Sequence, residues 1–276
     1  AAARGISALG LADRDGIHGA VPFQKACEAH GIQPILGTDC ADPGGSRARL
    51  LALDAEGWGG VCRIATRWGT AGREGSWSLE GALVREGGGF AVLSDDPGLL
   101  GRVAAQRGPE DLFALSARTA QATGLPHIAA PRVAFVNPES HRLHRLLVAI
   151  GRNDRISRLP PAASAPPSAW LEDAARLAHR FRENPGALRE AEELAERATF
   201  RIPLGQRLLP RFPVAGGGSA QARLARMCER GFRRRRVTGQ PGYRAQLNRE
   251  LALIGEQDLA DYFLIVADIA AFARRE

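Results

Sequence analysis

Up to Gly151 the chain alternates short apolar runs with stretches of helical period, and this alternation restricts the fold more than any other feature. Segments 6–12, 33–38, 49–53, 90–94, 111–115 and 127–135 are short apolar runs. Several are rich in Ile, Val, Leu or Phe, and most are bounded by Gly, Asp or Pro, so buried strands are expected. Helical periods lie between several of them, at 18–30, 58–68, 97–106 and 141–151, with Gly31 placed to end the first. Parallel strands need a crossover, usually a helix, so the pattern predicts parallel β/α units in an α/β barrel or open sheet.

After Gly151 the character changes. "RLPPAASAPPSAW" cannot propagate a helix and has little to bury. Amphipathic helices follow in "AWLEDAARLAHRF" and "GALREAEELAERA", then "IPLGQRLLPRFPVAGGGSA" with its spaced prolines and glycine run. The expected division is a β/α domain over 1–205, a linker over 206–218 and a helical segment over 219–276. The helix in "LADYFLIVADIAAFARRE" is apolar on most sides of its first turns and needs a core around it. A strand almost at Ala1 and no glycine or proline stop before Glu276 suggest a window from a longer protein.

The formal charge of +7 makes a polyanion the first partner to consider. Lys25 is the only lysine, however, and Arg, Ala and Gly are all abundant, so many arginines are expected to be solvated surface. Cys27, Cys40, Cys62 and Cys228 form no C-x-x-C pair, which indicates neither a zinc site nor a disulfide framework. No run is long and apolar enough to span a bilayer, and a cytoplasmic protein with no membrane partner is expected.

Asp13, Asp39 and the pair Asp95 and Asp96 each follow an apolar run, so all would sit at strand carboxyl ends, where α/β folds gather their chemistry. Converging carboxylates there can bind a metal or act as acid and base. The alternative is that Asp13 and Asp15 make a turn and cap the following helix. His141 and His144, spaced i, i+3, have metal-ligand geometry without a supporting third ligand, so scattered surface histidine is the competing reading. In "RGFRRRR", Arg233, Arg234, Arg235 and Arg236 can neutralise DNA phosphates or decorate a helix carboxyl end.

The chain resembles the C-family bacterial DNA polymerases, those of the DNA polymerase III alpha subunit type. The resemblance runs through "LADRDGIHGAVPFQKACEAHGIQPILGTD", "LLALDAEGWGGVCRIAT", "HRLHRLLVAIGRNDRI" and, most specifically, "RELALIGEQDLADYFLIVADIAAFARRE". It implies that residues up to about 205 are a polymerase-and-histidinol-phosphatase (PHP) domain, a distorted β/α barrel lacking its first strand here, and that 219–276 begin the palm. In metal-binding members, histidines, acids and a cysteine at the strand ends hold a metal cluster. The corresponding positions here are Arg14, Asp39, Arg47, Asp96, Arg132 and Ala134.

Guanidinium offers no lone pair and stays protonated, so arginine at a ligand position supplies charge and no coordination. The expectation is a metal-free pocket in which Arg14, Arg47 and Arg132 pair with Asp13, Asp39 or Asp96 and so hold the strand ends together. By resemblance the whole enzyme adds deoxynucleotides (dNTPs) to a primer-template with Mg2+ held by palm aspartates beyond Glu276, and works with a sliding clamp and accessory polymerase proteins. The degenerate pocket, "ADRDG" and "PLGQRLLPRFPV" point to the error-prone, damage-tolerant branch, and this window alone is expected to be inactive. Asp261 and Asp268 are not assigned to the palm metals. Two alternatives are a free-standing PHP-superfamily phosphoesterase and a non-catalytic DNA-binding scaffold.

Overall fold

The computed structural model describes residues 1–71, 77–206, 209–214, 217–236 and 242–275. The linker expected over 206–218 lies partly outside them. The chain divides into two compact units, Ala1–Ile202 and Pro203–Glu276.

The first unit is built on a five-stranded sheet: β1 (Ala8–Arg14), β2 (Gln33–Ala41), β3 (Arg47–Ala52), β4 (Phe90–Ser94) and β5 (Leu112–Ala114), side by side in that order. Its helices are α1 (Ala20–Ala29), α2 (Ala55–Ala71), α3 (Leu79–Glu86), α4 (Pro97–Arg107), α5 (Ala117–Thr123), α6 (His141–Gly151), α7 (Ala174–Arg180) and α8 (Gly186–Arg197). The first helix ends as its sequence predicts, at Gly31 with φ +66°, a conformation that costs glycine no Cβ clash.

Parallel β/α units account for part of the sheet. β1 and β2 are parallel and so are β4 and β5, but β3 runs antiparallel to both its neighbours. No helix separates β2 from β3. Instead "DPGGS" makes a tight reversal, in which Asp42 N–H donates to Ser46 O (2.9 Å), Gly45 N–H to Asp42 O (3.0 Å) and Ser46 N–H to Asp42 Oδ1 (3.1 Å). A connection that short can only join antiparallel strands.

The strand expected over 127–135 also does not form. The segment touches the sheet through one isolated bridge, Ala114 to His127, and Phe135 bridges instead to Trp170, outside the sheet. Pro131 has no N–H to give to a ladder, which interrupts pairing at the middle of the run.

All five residues of β4 are buried, as expected of a strand covered on both faces. Phe90 and Val92 join a core with Leu50, Val61, Ile64, Leu79, Leu83 and Leu99, mostly from α2, α3 and α4. Ala91 and Leu93 face the other way, into Ile35, Phe113, Ile128 and Leu194 of α8. Gln33 donates to Ala198 O (3.1 Å) and thereby satisfies a carbonyl at the end of α8. α6 keeps Leu143, Leu146, Leu147 and Ile150 exposed along one stripe.

In the second unit, α9 (Ala220–Arg234), α10 (Tyr243–Glu256) and α11 (Ala260–Ala273) pack around Leu224, Ala260 and Leu264. The buried Asp261 accepts from Phe212 N–H (2.7 Å) and Arg211 (3.1 Å), and the backbone donor above all pulls its pKa below the ordinary carboxylate value. Tyr262, Phe263, Val266, Ile269 and Phe272 of α11 stay exposed, so this unit does not enclose the apolar helix that its sequence shows. Among the described residues no helix is long and apolar enough to cross a membrane.

Gly57, in the first turn of α2, tests the packing. Alanine is favoured over glycine in a helix by about 1 kcal/mol. Here an added Cβ would lie 1.6 Å from Gly89 O, a backbone atom that already accepts from Leu53 N–H. Gly57→Ala is therefore expected to destabilise the first unit by at least about 2 kcal/mol, as overpacking does. Urea unfolding monitored by tryptophan fluorescence would show it, and an increase in stability would refute the packing described.

Candidate functional site at the carboxyl rim of the sheet

Because β3 is reversed between co-directed strands, one rim collects the carboxyl ends of β1, β2, β4 and β5 together with the amino end of β3. Asp13, Arg14 and Asp15, Asp39, Arg47, and Asp95 and Asp96 all arrive there. The strand register places Arg14 opposite Asp39, and Asp39 opposite Arg49. Side chains opposite one another share a face, and so do those two apart on one strand. Arg14, Asp39, Arg49 and Arg47 therefore form one charged row on the face that also carries Ile35 and Leu93. A cavity of about 430 Å³ opens over it, lined also by Asp13, Arg132 and Ala134.

The carboxylates are already engaged. Asp13 Oδ2 accepts from the N–H of Gly19 (3.0 Å), the residue at the amino end of α1, which itself carries no side-chain cap. Asp39 takes Arg47 Nη1 at 2.8 Å. Asp96 caps α4 through Leu99 N–H (3.0 Å) and accepts Ser46 Oγ at 2.6 Å, and these donors, Ser46 first, hold its pKa below the ordinary value. Asp95 accepts from Ser116 and from Thr119 Oγ1, tying the end of β4 to α5. Asp15 has φ +56° and a buried Oδ1 without a hydrogen-bond partner, and burial raises its pKa despite the opposing field of Arg47.

Of the three arginines expected to pair with these acids, only Arg47 does. Arg14 and Arg132 form no ion pair within the 4.0 Å limit among the described residues. The reason for Arg14 is strand periodicity: Asp13 precedes it and points to the opposite face, while Asp39 is taken by Arg47. The expected bidentate clasp is also corrected to a single short contact, with the Arg47 side chain 39% exposed. Such a pair contributes at most about 1 kcal/mol. Strand pairing and hydrogen bonds hold the rim instead, among them the neutral Ser94 Oγ to Arg47 O (2.6 Å) and the charge-assisted Ser46 Oγ to Asp96. Ala134 N–H donates to Ala169 O (2.8 Å), so that position serves the backbone only.

Arg49 is the residue that sequence reading missed. Its Nη1 donates to Ala130 O at 2.6 Å, and burial, then the fields of Arg132 and Arg47, lower its pKa against the pull of Asp39. The signal was available: Arg47 and Arg49 are two apart in an alternating strand.

His141 and His144 share a helix face and meet a backbone segment. Nε2 of each lies near Ala165, at 3.2 Å from its O and 3.0 Å from its N, with Phe135 packed against both rings. Burial and then Arg132 lower the pKa of His144. A divalent metal needs several lone-pair donors in one shell. The rim residues do not fit one, since Asp13, Asp39, Asp95 and Asp96 are already engaged and three of the candidate positions are arginine. Among the described residues no three His, Cys, Asp or Glu side chains converge to hold a metal ion.

The lowered pKa of Asp96 gives a signed test. Its folded pKa lies below the ordinary 3.8, so its charge stabilises fully above about 3.8 and loses effect as pH falls through the folded value. Asp96→Ala is expected to cost about 1 kcal/mol at pH 7. The gap from the parent should narrow below pH ~3. Urea titrations at both pH values measure it, and an equal gap at both would refute the charged cap.

Residues 1–123 match the PHP domain family. Over 99% of its length the chain is similar to DNA polymerase III subunit alpha of Bacillus subtilis (28% identical) and to the error-prone DNA polymerase of Mesorhizobium japonicum (29%), covering 27% of each. It is likewise similar to the error-prone DNA polymerase of Symbiobacterium thermophilum at 27% identity, covering 30% of that relative. The chain thus spans under a third of the length of these relatives. Its amino-terminal part matches the PHP domain family, and the chain as a whole is similar to bacterial DNA polymerase III alpha subunits and error-prone DNA polymerases.

Proposed function

We propose that this chain is part of a bacterial C-family DNA polymerase of the error-prone branch, which joins deoxynucleotides to a primer 3′ end. The observation that supports this reading is the match along 99% of the chain to proteins named DNA polymerase III subunit alpha and error-prone DNA polymerase. The reading divides the chain into a PHP-like domain at 1–205, a connection at 206–218 and the opening palm helices at 219–276. Primer-template DNA and dNTPs are the substrates of the whole protein, with a sliding clamp and accessory polymerase proteins as partners. Mg2+ and the aspartates that hold it belong to the stretch of polymerase that this chain does not span. There the metal would clamp attacking and leaving oxygens.

Within this reading the PHP rim is a metal-free scaffold. Guanidinium at positions 14, 47 and 132 repels divalent cations and offers them no lone pair. Asp39, the acid best placed among them, is occupied by Arg47. Phosphoesterase chemistry at this rim is disfavoured for the same reason.

The carboxyl end of α9 is the proposed DNA-phosphate contact. Arg233 bonds to Glu229 (3.3 Å), which also takes Arg244 (2.6 Å), whereas Arg234, Arg235 and Arg236 are exposed and outside the ion pairs of the described residues. Cations suit a helix carboxyl end in any case, so salt dependence separates the two roles.

The purified chain is expected to give no primer extension with Mg2+ and dNTPs, and measurable extension would overturn the assignment of catalysis to a part outside it. Elemental analysis of the dialysed protein should find no stoichiometric zinc or manganese; bound metal would return the phosphoesterase alternative. Replacing Arg233, Arg234, Arg235 and Arg236 by alanine should flatten the plot of log affinity for duplex DNA against log salt by about 0.9 per lost phosphate contact. An unchanged slope would make the cluster ordinary surface.

A further inference from the structure

The exposed side of α9 carries a regular row of cations. Arg226, Arg230 and Arg234 follow one another at four-residue steps, so they share a helix face, and each step advances about 6 Å along the axis. That pitch is close to the separation of successive phosphates along one polynucleotide strand, and a merely solvated surface has no reason to keep it. The buried residues of the helix, Leu224 and Phe232, lie on its other side. None of the three arginines forms an ion pair among the described residues, and the acid next to Arg230, Glu229, is taken by Arg233 and Arg244. Arg234 also borders a cavity of about 730 Å³ between the carboxyl end of α9 and the first turns of α10. Buried Phe232 and half-buried Leu247 give this recess an apolar lining, and the exposed ring of Tyr243 stands at it. Glu250, the one acid lining it among the described residues, accepts from Gln246 Nε2 (2.7 Å). A carboxylate there disfavours a phosphate inside the recess, whereas apolar walls beside an aromatic ring suit a flat heterocycle.

We propose that α9 and this recess form a binding site for a single-stranded polynucleotide, with successive phosphates on Arg226, Arg230 and Arg234 and a base stacked on Tyr243. A track of cations beside an aromatic platform suits an unpaired strand of any sequence, because every base has a π-face. Guanidinium forks match phosphate oxygens bidentately. In a duplex the bases are turned inward on their partners, so only an unpaired base can reach the recess. An acidic polypeptide would satisfy the arginines and leave Tyr243 and the apolar lining unused. This inference rests on the reading of the carboxyl end of α9 as a DNA-phosphate contact, and extends it back along the helix to Arg226 and Arg230 and across to α10.

The test uses the whole 276-residue chain and a fluorescently labelled oligothymidylate of about ten nucleotides. Anisotropy titrations over a series of salt concentrations compare it with a duplex of equal length. The single strand should bind more tightly than the duplex. Tyr243→Ala should weaken single-strand binding about tenfold, the loss of one stacked base, and leave the salt slope unchanged, while Tyr243→Phe keeps the parent affinity. Replacing Arg226 and Arg230 by alanine should instead flatten the plot of log affinity against log salt by about 1.4, at about 0.7 for each lost contact to a single strand. Arg152→Ala, at the carboxyl end of α6, should change neither quantity. All these side chains are exposed, so the variants are expected to fold. Equal affinity for duplex and single strand overturns the proposal, as does an unmoved affinity in Tyr243→Ala, or competition by polyglutamate as effective as by unlabelled oligothymidylate. Alanine at Arg233, Arg234, Arg235 and Arg236, measured on the same salt series, keeps the two readings apart. If that replacement flattens the slope and the Arg226 and Arg230 pair does not, the helix-end phosphate contact stands and the single-strand site falls; if neither moves it, both fall.

Discussion

The reversal between Asp42 and Ser46 governs where the charged side chains of the rim end up. Were β2 and β3 joined by a crossover helix, β3 would run with its neighbours and Arg47 and Arg49 would lie at the opposite edge from Asp39. Turned back within a few residues, β3 instead delivers them beside Asp39 and close to Asp96, whose Oδ2 takes the hydroxyl of Ser46 from the turn itself. The same reversal puts Leu50 and Leu51 on alternate faces, each against a different core. Fold and site thus share one local cause.

That arrangement is not held by the attraction of opposite charges. The Asp39–Arg47 contact is half in water, and the other rim acids spend their acceptors on backbone N–H groups and hydroxyls. Neutral hydrogen bonds at strand ends contribute about 1 kcal/mol each, and an unmade one costs more. They suffice to shape the rim while Arg49 bonds to Ala130 O and Arg14 and Arg132 stay outside the ion pairs of the described residues. Asp15 is the exception, with a left-handed backbone and an orphaned oxygen at the same rim. Strained and unsatisfied groups of this kind concentrate at sites that bind something.

Much of this was legible before any coordinates. The apolar runs at 33–38, 49–53 and 90–94 are strands and the helical periods at 18–30, 97–106 and 141–151 are helices, because burial on a pleat or a helix face leaves its period in the residues. The direction of β3 was not read, although no helical period separates 33–38 from 49–53 and "DPGGS" carries a turn signal. The run at 127–135 misled for a different reason: apolar composition survives in a segment whose Pro131 forbids the ladder. Among site residues, position alone brought Asp13, Asp39 and Asp96 to one rim, but their partners include backbone N–H groups and a distant hydroxyl, as with Gly19, Leu99 and Ser46.

The sequence by itself determined which segments are strands and helices, the basic balance of the chain, and the presence of arginine where a metal ligand would need a lone pair. These are local properties, written in side-chain chemistry and period. Only the tertiary structure decided that Arg47 alone finds a carboxylate, that Arg49 joins it, and that three guanidinium groups are left facing one cavity. Pairing depends on strand direction and register, and a one-residue slip of either would have sent each of those side chains to the other face.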